Sequence, residues 1–371
     1  MALTSVAAAP TGRVRAAAVR TAVGLCAAGL LVLVFVRLVN LGAVAHRLEH
    51  LQIGWALLSG AVFLTAYVVR AMRWRCLLRP CDVSVGRAAA IYQVATFINF
   101  VLPIRGGELA KSLLLRHSNG IPVSRSLATV GMDKAMDLLP AVVLLAVLPV
   151  VRLRLSRPLL VLLLSALAAV AVAALLLALA AWRRTRALSL LTRIARVLPS
   201  AARQRVEPTI VLFVDTLLAL VRRPRLMGVA AALTAVAVSF DALFCLLAFK
   251  AVGVAVTVPV VLYGYTFLNL SFILPTPPGQ VGSNEVIGLL IFSGALGVGR
   301  VDVGAMFLFM HPWSAVLMTL SALLCLSTLG LSFRKTLRLA RHAAEAGPDE
   351  TERSWNRAGS GSVQAAHRFS D

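Results

Sequence analysis

Two interrupted stretches decide the fold. The first reads Asn99-Phe100-Val101-Leu102-Pro103-Ile104-Arg105-Gly106-Gly107-Glu108. The second reads Asn269-Leu270-Ser271-Phe272-Ile273-Leu274-Pro275-Thr276-Pro277-Pro278-Gly279-Gln280-Val281-Gly282, with Glu285 three residues on. Each holds an Asn, a Leu-Pro step, glycines and then a Glu, and each lies in the middle of an apolar region, 86–116 or 257–297. Proline removes a backbone donor and clashes with the preceding turn, so a helix stops there. Glycine lets the chain turn sharply. Non-helical backbone at bilayer depth survives only when it is buried in protein or lines a wet cavity. The next helix then begins inside the membrane, with its positive dipole end facing whatever fills that cavity.

The rest of the chain makes the bilayer its solvent. Of 371 residues, 59% are hydrophobic and only 14% charged, with a mean hydropathy of +0.87. A soluble domain is nearer half apolar and a quarter charged. This excludes a cytosolic enzyme, a disordered protein and, despite a formal net charge of +22, an ordinary nucleic-acid-binding domain. A spanning helix needs about 20 apolar residues. Regions 16–39, 51–70, 126–149, 159–182, 227–250 and 304–331 meet that need. The apolar run after Arg13, Arg15 and Arg20 is too long for a cleaved signal peptide and reads as a retained first helix.

The expected fold is therefore an all-α polytopic membrane protein. It has six full transmembrane helices plus two broken re-entrant hairpins related as an inverted repeat, their tips meeting near the midplane. Two pairs of tilted full-length helices are the alternative. The expected organisation is a cytoplasmic segment 1–15 and a transmembrane domain 16–333. A basic cytoplasmic loop at 183–225 lies within that domain, and a basic, then disordered tail follows at 334–371. The loop holds ten arginines. Lys and Arg outside the membrane fall mostly on one side, which places the protein in the cell membrane with both termini in the cytoplasm. The basic loops would hold it against an anionic lipid leaflet.

In order and spacing, the motifs resemble the lysylphosphatidylglycerol synthase transmembrane-region family of flippase-like membrane proteins. The carrying residues are Arg70-Ala71-Met72-Arg73-Trp74-Arg75-Cys76-Leu77-Leu78, then Asn99-x-x-Leu102-Pro103-x-Arg105-x-Gly107-Glu108-Leu109, then Asp133-Lys134-x-x-Asp137, then Pro275-x-Pro277-x-Gly279-x-Val281-Gly282-x-x-Glu285. The chain departs from the family pattern at Asp133-Lys134, where Glu-Arg is usual, and at Pro277-Pro278-Gly279, where Pro-Gly-Gly is usual. The resemblance implies a domain that moves a phospholipid between leaflets. Fused synthases carry a separate aminoacyl-transfer domain. The residues after Arg334 are not expected to form one, so an enzyme is not expected.

Charge within apolar segments marks the candidate site, since each such group costs at least ~2.5–3.5 kcal/mol near the bilayer centre. Arg105, with its planar fork of donors, is the expected phosphate ligand. Glu108 and Glu285 are expected to orient it or bind a headgroup amine, and Asn99 and Asn269 complete the headgroup set. Pairing between Arg105 and Glu108 alone is the structural alternative. Asp133, Lys134, Asp137, Asp241 and Arg73 form an expected supporting charge network. Pro103, Gly106, Gly107, Pro275, Pro277, Gly279 and Gly282 break the helices. His311, before Pro312 and Trp313, reads as a hydrogen-bonded core residue. Trp55, Trp74, Trp182 and Trp313 read mostly as interface anchors.

Neither the five cysteines nor any His spacing suggests a metal, and no P-loop, nucleophile elbow or zinc-protease motif occurs. No cofactor, metal or nucleic-acid partner is expected. The expected function is binding and translocation of a phospholipid or lipid-linked headgroup. Two alternatives remain. One is an accessory subunit of a partner transferase that modifies lipids or transfers glycosyl groups. The other is an intramembrane prenyl-diphosphate enzyme using Asp133 and Asp137.

Overall fold

A computed structural model describes residues 11–101, 106–151, 214–216, 218–271 and 276–330, with isolated helical positions between 161 and 211. Expected features at 159–182, most of 183–225 and 334–371, as well as Arg105, Pro103 and Pro275, lie outside the described residues.

Among the described residues every regular element is helical: α1 (Thr11–Leu38), α2 (Leu41–Glu49), α3 (Ile53–Leu77), α4 (Val85–Val101), α5 (Gly107–Asn119), α6 (Val123–Val151), α7 (Pro224–Ala251), α8 (Val258–Ser271), α9 (Ser283–Gly288) and α10 (Arg300–Thr328). A short 3-10 turn (Pro278–Gln280) precedes α9, and a π-helical turn (Leu289–Ala295) continues it. Helices α3, α7 and α10 are long and apolar enough to cross a membrane, and α1 with α2 makes a fourth span if that pair, bent by 87°, is counted as one. Helix α6 is 29 residues long but carries Asp133, Lys134 and Asp137. The described residues thus give three spans, or up to four.

The burial pattern is inverted relative to a soluble protein. Ile53, Leu57, Leu290 and Leu324 are 60–68% exposed, whereas Arg73, Lys111 and Asp133 are at most 2% exposed. Apolar residues outside and charges inside suit a protein solvated by lipid. The apolar core joins α3, α7, α8, α10 and the π-helical turn. Phe63 packs on Phe244 at 5.0 Å, and Phe292 on both Phe249 and Phe307 at 5.5 and 6.1 Å.

Both interrupted regions fold into antiparallel helical hairpins. In the first, the Arg87 guanidinium donates to the Ser118 carbonyl at the open end. At the tip the Gly107 N–H donates to Asn99 Oδ1 at 2.7 Å. Glycine is required at 107, because a Cβ there would lie 2.1 Å from the Ala95 carbonyl oxygen. In the second hairpin a Cβ on Gly264 of α8 would lie 2.3 Å from the Phe292 ring on the returning arm. The arms have 17, 13 and 14 residues in α4, α5 and α8, and Ser283–Ala295 forms the fourth. At ~1.5 Å per residue each arm reaches roughly 20–25 Å, short of a ~30 Å hydrocarbon core.

The second tip keeps the sharp turn despite Pro278. Gly279 and Gly282 take φ of +66° and +78°, and Gln280, between them, takes +58°. These are left-handed values that side chains with a Cβ rarely adopt. Gly282 sits against α1, where a Cβ would lie 2.9 Å from the Val32 nitrogen and 3.0 Å from the Ala28 carbonyl oxygen. The two tips meet: a Cβ on Gly279 would lie 3.9 Å from the Phe100 ring.

Helix α2 was not expected. Asn40 starts it by accepting from the Ala43 N–H at 3.2 Å, as an N-cap does. Arg47 then ties it to Asp302 of α10 at 2.9 Å.

Candidate functional site

A cavity of about 570 Å³ opens between α3, α4, α5, α6, α7 and α8, with Gln280 of the second tip in its wall. Arg70, Arg73, Lys111 and Lys134 line it, as do Glu108, Asp137 and Asp241. Asp133 stands directly behind, fully buried. Ala95, Phe100, Leu138, Pro140, Val238, Leu270 and Met318 supply apolar wall. Asn99 and Asn269, one from each hairpin, both face the cavity.

Arg73 organises the deep end. Its Nε donates to Asp133 Oδ1 at 2.8 Å and its Nη2 to Asp137 Oδ1 at 2.6 Å. Its Nη1 reaches Thr234 Oγ1 and its Nη2 the Asp133 carbonyl, both at 3.1 Å. Asp133 and Asp137 are four apart on α6, so one guanidinium fork spans both. Lys111 fills the remaining side, with Nζ 3.4 Å from Asp133 Oδ2 and 3.8 Å from the centre of the Tyr92 ring. A buried ion survives only when partners replace its water, and Arg73 and Asp133 have such partners on every side.

The mouth is looser. Lys134 Nζ lies 3.2 Å from Glu108 Oε1 and 3.5 Å from Asp137 Oδ2. The Lys134 side chain is 50% exposed, against 3% for Lys111 and 1% for Arg73. Asn99 Nδ2 donates to Glu108 Oε1 at 3.1 Å, so the first hairpin's tip sets the position of that carboxylate. Across the cavity, both Arg70 Nη atoms donate to the Asp241 carboxylate. The four named cations therefore balance the four carboxylates.

Asn99, Asn269, Glu108, Asp133, Lys134, Asp137, Asp241 and Arg73 thus come together. Glu285 does not join them. Its Oε1 lies 2.5 Å from His311 Nδ1, in the core below the second tip, and His311 Nε2 lies 2.8 Å from the Gly279 carbonyl oxygen. Pro277, Gly279 and Gly282 sit at the second tip, and Gly106 and Gly107 at the first. Asp133 and Asp137 are already engaged by Arg73, Lys111 and Lys134. That pairing is not the open carboxylate pair a magnesium diphosphate would need.

Sequence reasoning missed Arg70, Lys111 and Tyr92. A span expected to end at 70 put Arg70 at its edge, but α3 continues to Leu77 and carries Arg70 and Arg73 into the cavity wall. Lys111 is inside α5 and buried. Its spacing was a usable signal, because Glu108 and Lys111 are three apart and share a helix face. Trp74 is corrected too. It is fully buried, and its Nε1 donates to Thr129 Oγ1 at 3.3 Å, so it does not anchor at an interface.

No curated protein matches the chain. The family model described as "Lysylphosphatidylglycerol synthase TM region" matches residues 18–341 of the 371. With its apolar helices, its paired hairpins and this match over most of its length, the chain is a multi-pass membrane protein and belongs to the lysylphosphatidylglycerol synthase TM region family.

Proposed function

We propose that this protein binds the headgroup of a phospholipid or lipid-linked molecule in the charged cavity and moves it between leaflets. The acyl tails stay in hydrocarbon. The observation that carries this reading is the pair of environments in one cavity: reachable Lys134, Glu108 and Asp137 beside apolar wall from Phe100, Leu138 and Leu270. Lys134 is a point charge suited to a lipid phosphate. Glu108 and Asp137 suit an amine on the same headgroup, and Arg105, between α4 and α5 in sequence, is a candidate second phosphate donor by its chemistry. Because the cations and carboxylates are balanced, an incoming headgroup exchanges ion pairs rather than entering a bare field.

The proposed topology has six full spans and two re-entrant hairpins, the first entering from the cytoplasm and the second from outside, as an inverted repeat. The meeting of the tips at Phe100 and Gly279 supports it. Alternating exposure of the cavity would follow from movement of one hairpin against the other.

The test is reconstitution in liposomes carrying fluorescent phosphatidylglycerol or phosphatidylethanolamine in both leaflets, with an impermeant reductant outside. The expected result is loss of the inner-leaflet signal with the parent protein, at a rate at least tenfold slower with Lys134→Gln. Parent protein that moves neither lipid faster than empty liposomes would overturn the reading.

A further inference from the structure

The second tip holds an ionisable pair that the headgroup cavity does not use. His311 lies on α10 and Glu285 in the first turn of α9. Glu285 is 9% exposed and His311 7%. Both imidazole nitrogens face acceptor oxygens: Nδ1 the Glu285 carboxyl at 2.5 Å, and Nε2 the Gly279 carbonyl at 2.8 Å. The other carboxyl oxygen, Glu285 Oε2, is buried without a hydrogen-bond partner among the described residues.

Proton counting decides what this arrangement holds. A neutral imidazole has one N–H and one bare lone pair. Beside an ionised Glu285, it can satisfy either the carboxylate or the Gly279 carbonyl, and the other contact then sets lone pair against lone pair. Adding one proton resolves the conflict in either of two ways. Imidazolium donates to both oxygens, or a protonated carboxyl donates to Nδ1 while Nε2–H donates to the carbonyl. Both forms leave the pair with no net charge, which an apolar site favours.

Among the described residues around the pair, no other charge competes for that proton. Residues 276–299 contain no charged side chain except Glu285. The stretch of α1 over the tip, 24–32, has only Cys26 as a titratable group, and α8 has only Tyr263 and Tyr265. The part of α4 beside the tip presents Asn99 and Phe100, the latter ring 6.1 Å from His311. Helix α10 from 303 to 328 has only His311 and Cys325, and α3 before Arg70 has only Tyr67.

We propose that the Glu285–His311 pair is a binding site for a single proton, and that this proton latches the second tip against α10. The Gly279 carbonyl is the tip's point of attachment, and Gln280, next in sequence, reaches the headgroup cavity. Losing the proton to water leaves one N–H, which the ionised carboxylate takes as the stronger acceptor; the Nε2 contact then breaks, the turn is freed and that wall of the cavity changes. The purpose assigned here, coupling tip movement to a proton, rests on the transport reading, but the site's existence does not.

The test uses the full chain in lipid nanodiscs, with the native cysteines replaced and a nitroxide on Val281→Cys, an exposed tip position. Electron paramagnetic resonance spectra are taken from pH 5 to 9. The expected result is an immobilised label at low pH that becomes mobile through one single-proton transition. Glu285→Gln and His311→Gln should abolish the transition. A parent spectrum that is flat from pH 5 to 9, or a transition that survives unchanged in both variants, would overturn the proposal. The parent alone can therefore decide it, even if a variant fails to fold. Labelled lipid that stays put in liposomes while the spectrum titrates would sink the transport reading and leave the proton site standing. Lipid movement with a flat spectrum would do the reverse.

Discussion

Arg73→Met removes the group on which the deep end of the cavity depends. The guanidinium makes four hydrogen bonds, to Asp133 Oδ1, the Asp133 carbonyl, Asp137 Oδ1 and Thr234 Oγ1, at 2.6–3.1 Å. After the change Asp133, which has no solvent exposure, keeps only Lys111 at 3.4 Å. Asp137, with 31% of its side chain exposed, keeps Lys134 at 3.5 Å. Taking one partner from a buried ion pair leaves an uncompensated charge and costs about 3–5 kcal/mol. Arg73→Lys keeps the charge but cannot span both carboxylates, so about one charged hydrogen bond, ~1.5–3 kcal/mol, is lost. Reversible unfolding in mixed micelles with rising denaturing detergent measures both variants. Adding Asp133→Asn to Arg73→Met should recover part of the loss, because the orphaned charge is then gone. Stability of Arg73→Met within about 1 kcal/mol of the parent would refute the reasoning.

Two other changes separate architecture from binding. Gly107→Ala forces a methyl group against the Ala95 carbonyl oxygen. Backbone cannot yield as a side chain does, so the cost should reach or pass the ~3 kcal/mol end of overpacking, read as lost stability in the same micelle assay. Lys134→Gln breaks pairs on a half-exposed side chain. It should change stability by less than about 1 kcal/mol while slowing lipid movement at least tenfold, so equal damage to both would place Lys134 in the scaffold instead.

The breaks were legible because they are local. Proline and glycine act on their own backbone, so Pro277, Gly279 and Gly282 announced the second tip and Gly107 the first. The expected helices at 16–39, 51–70, 126–149, 227–250 and 304–331 match α1, α3, α6, α7 and α10 for the same reason, since apolar length is read directly. Asp133 and Asp137 were legible as a pair, because four-residue spacing puts them on one face. Arg73 was expected in the same network, but which carboxylates it contacts was not legible, since it is 60 residues from Asp133 and sequence spacing does not record contacts between helices. Arg70 and Lys111 were hidden because a charge ends an apolar run in sequence, whereas α3 continues to Leu77 and α5 to Asn119 with those charges turned into the protein. Glu285 was legible as an intramembrane acid, but its partner His311 lies on another helix and diverts it from the cavity.

The central claim is that the cavity between the two hairpins takes a lipid headgroup. Native mass spectrometry of the detergent-purified protein tests it most directly, comparing the parent with Lys134→Gln and Glu108→Gln. The expected result is one phospholipid or lipid-linked molecule retained per parent chain, with occupancy reduced at least tenfold in Lys134→Gln and clearly lowered in Glu108→Gln. Retention that is the same in all three, or a parent that carries no lipid when purified under the mildest conditions, would contradict it.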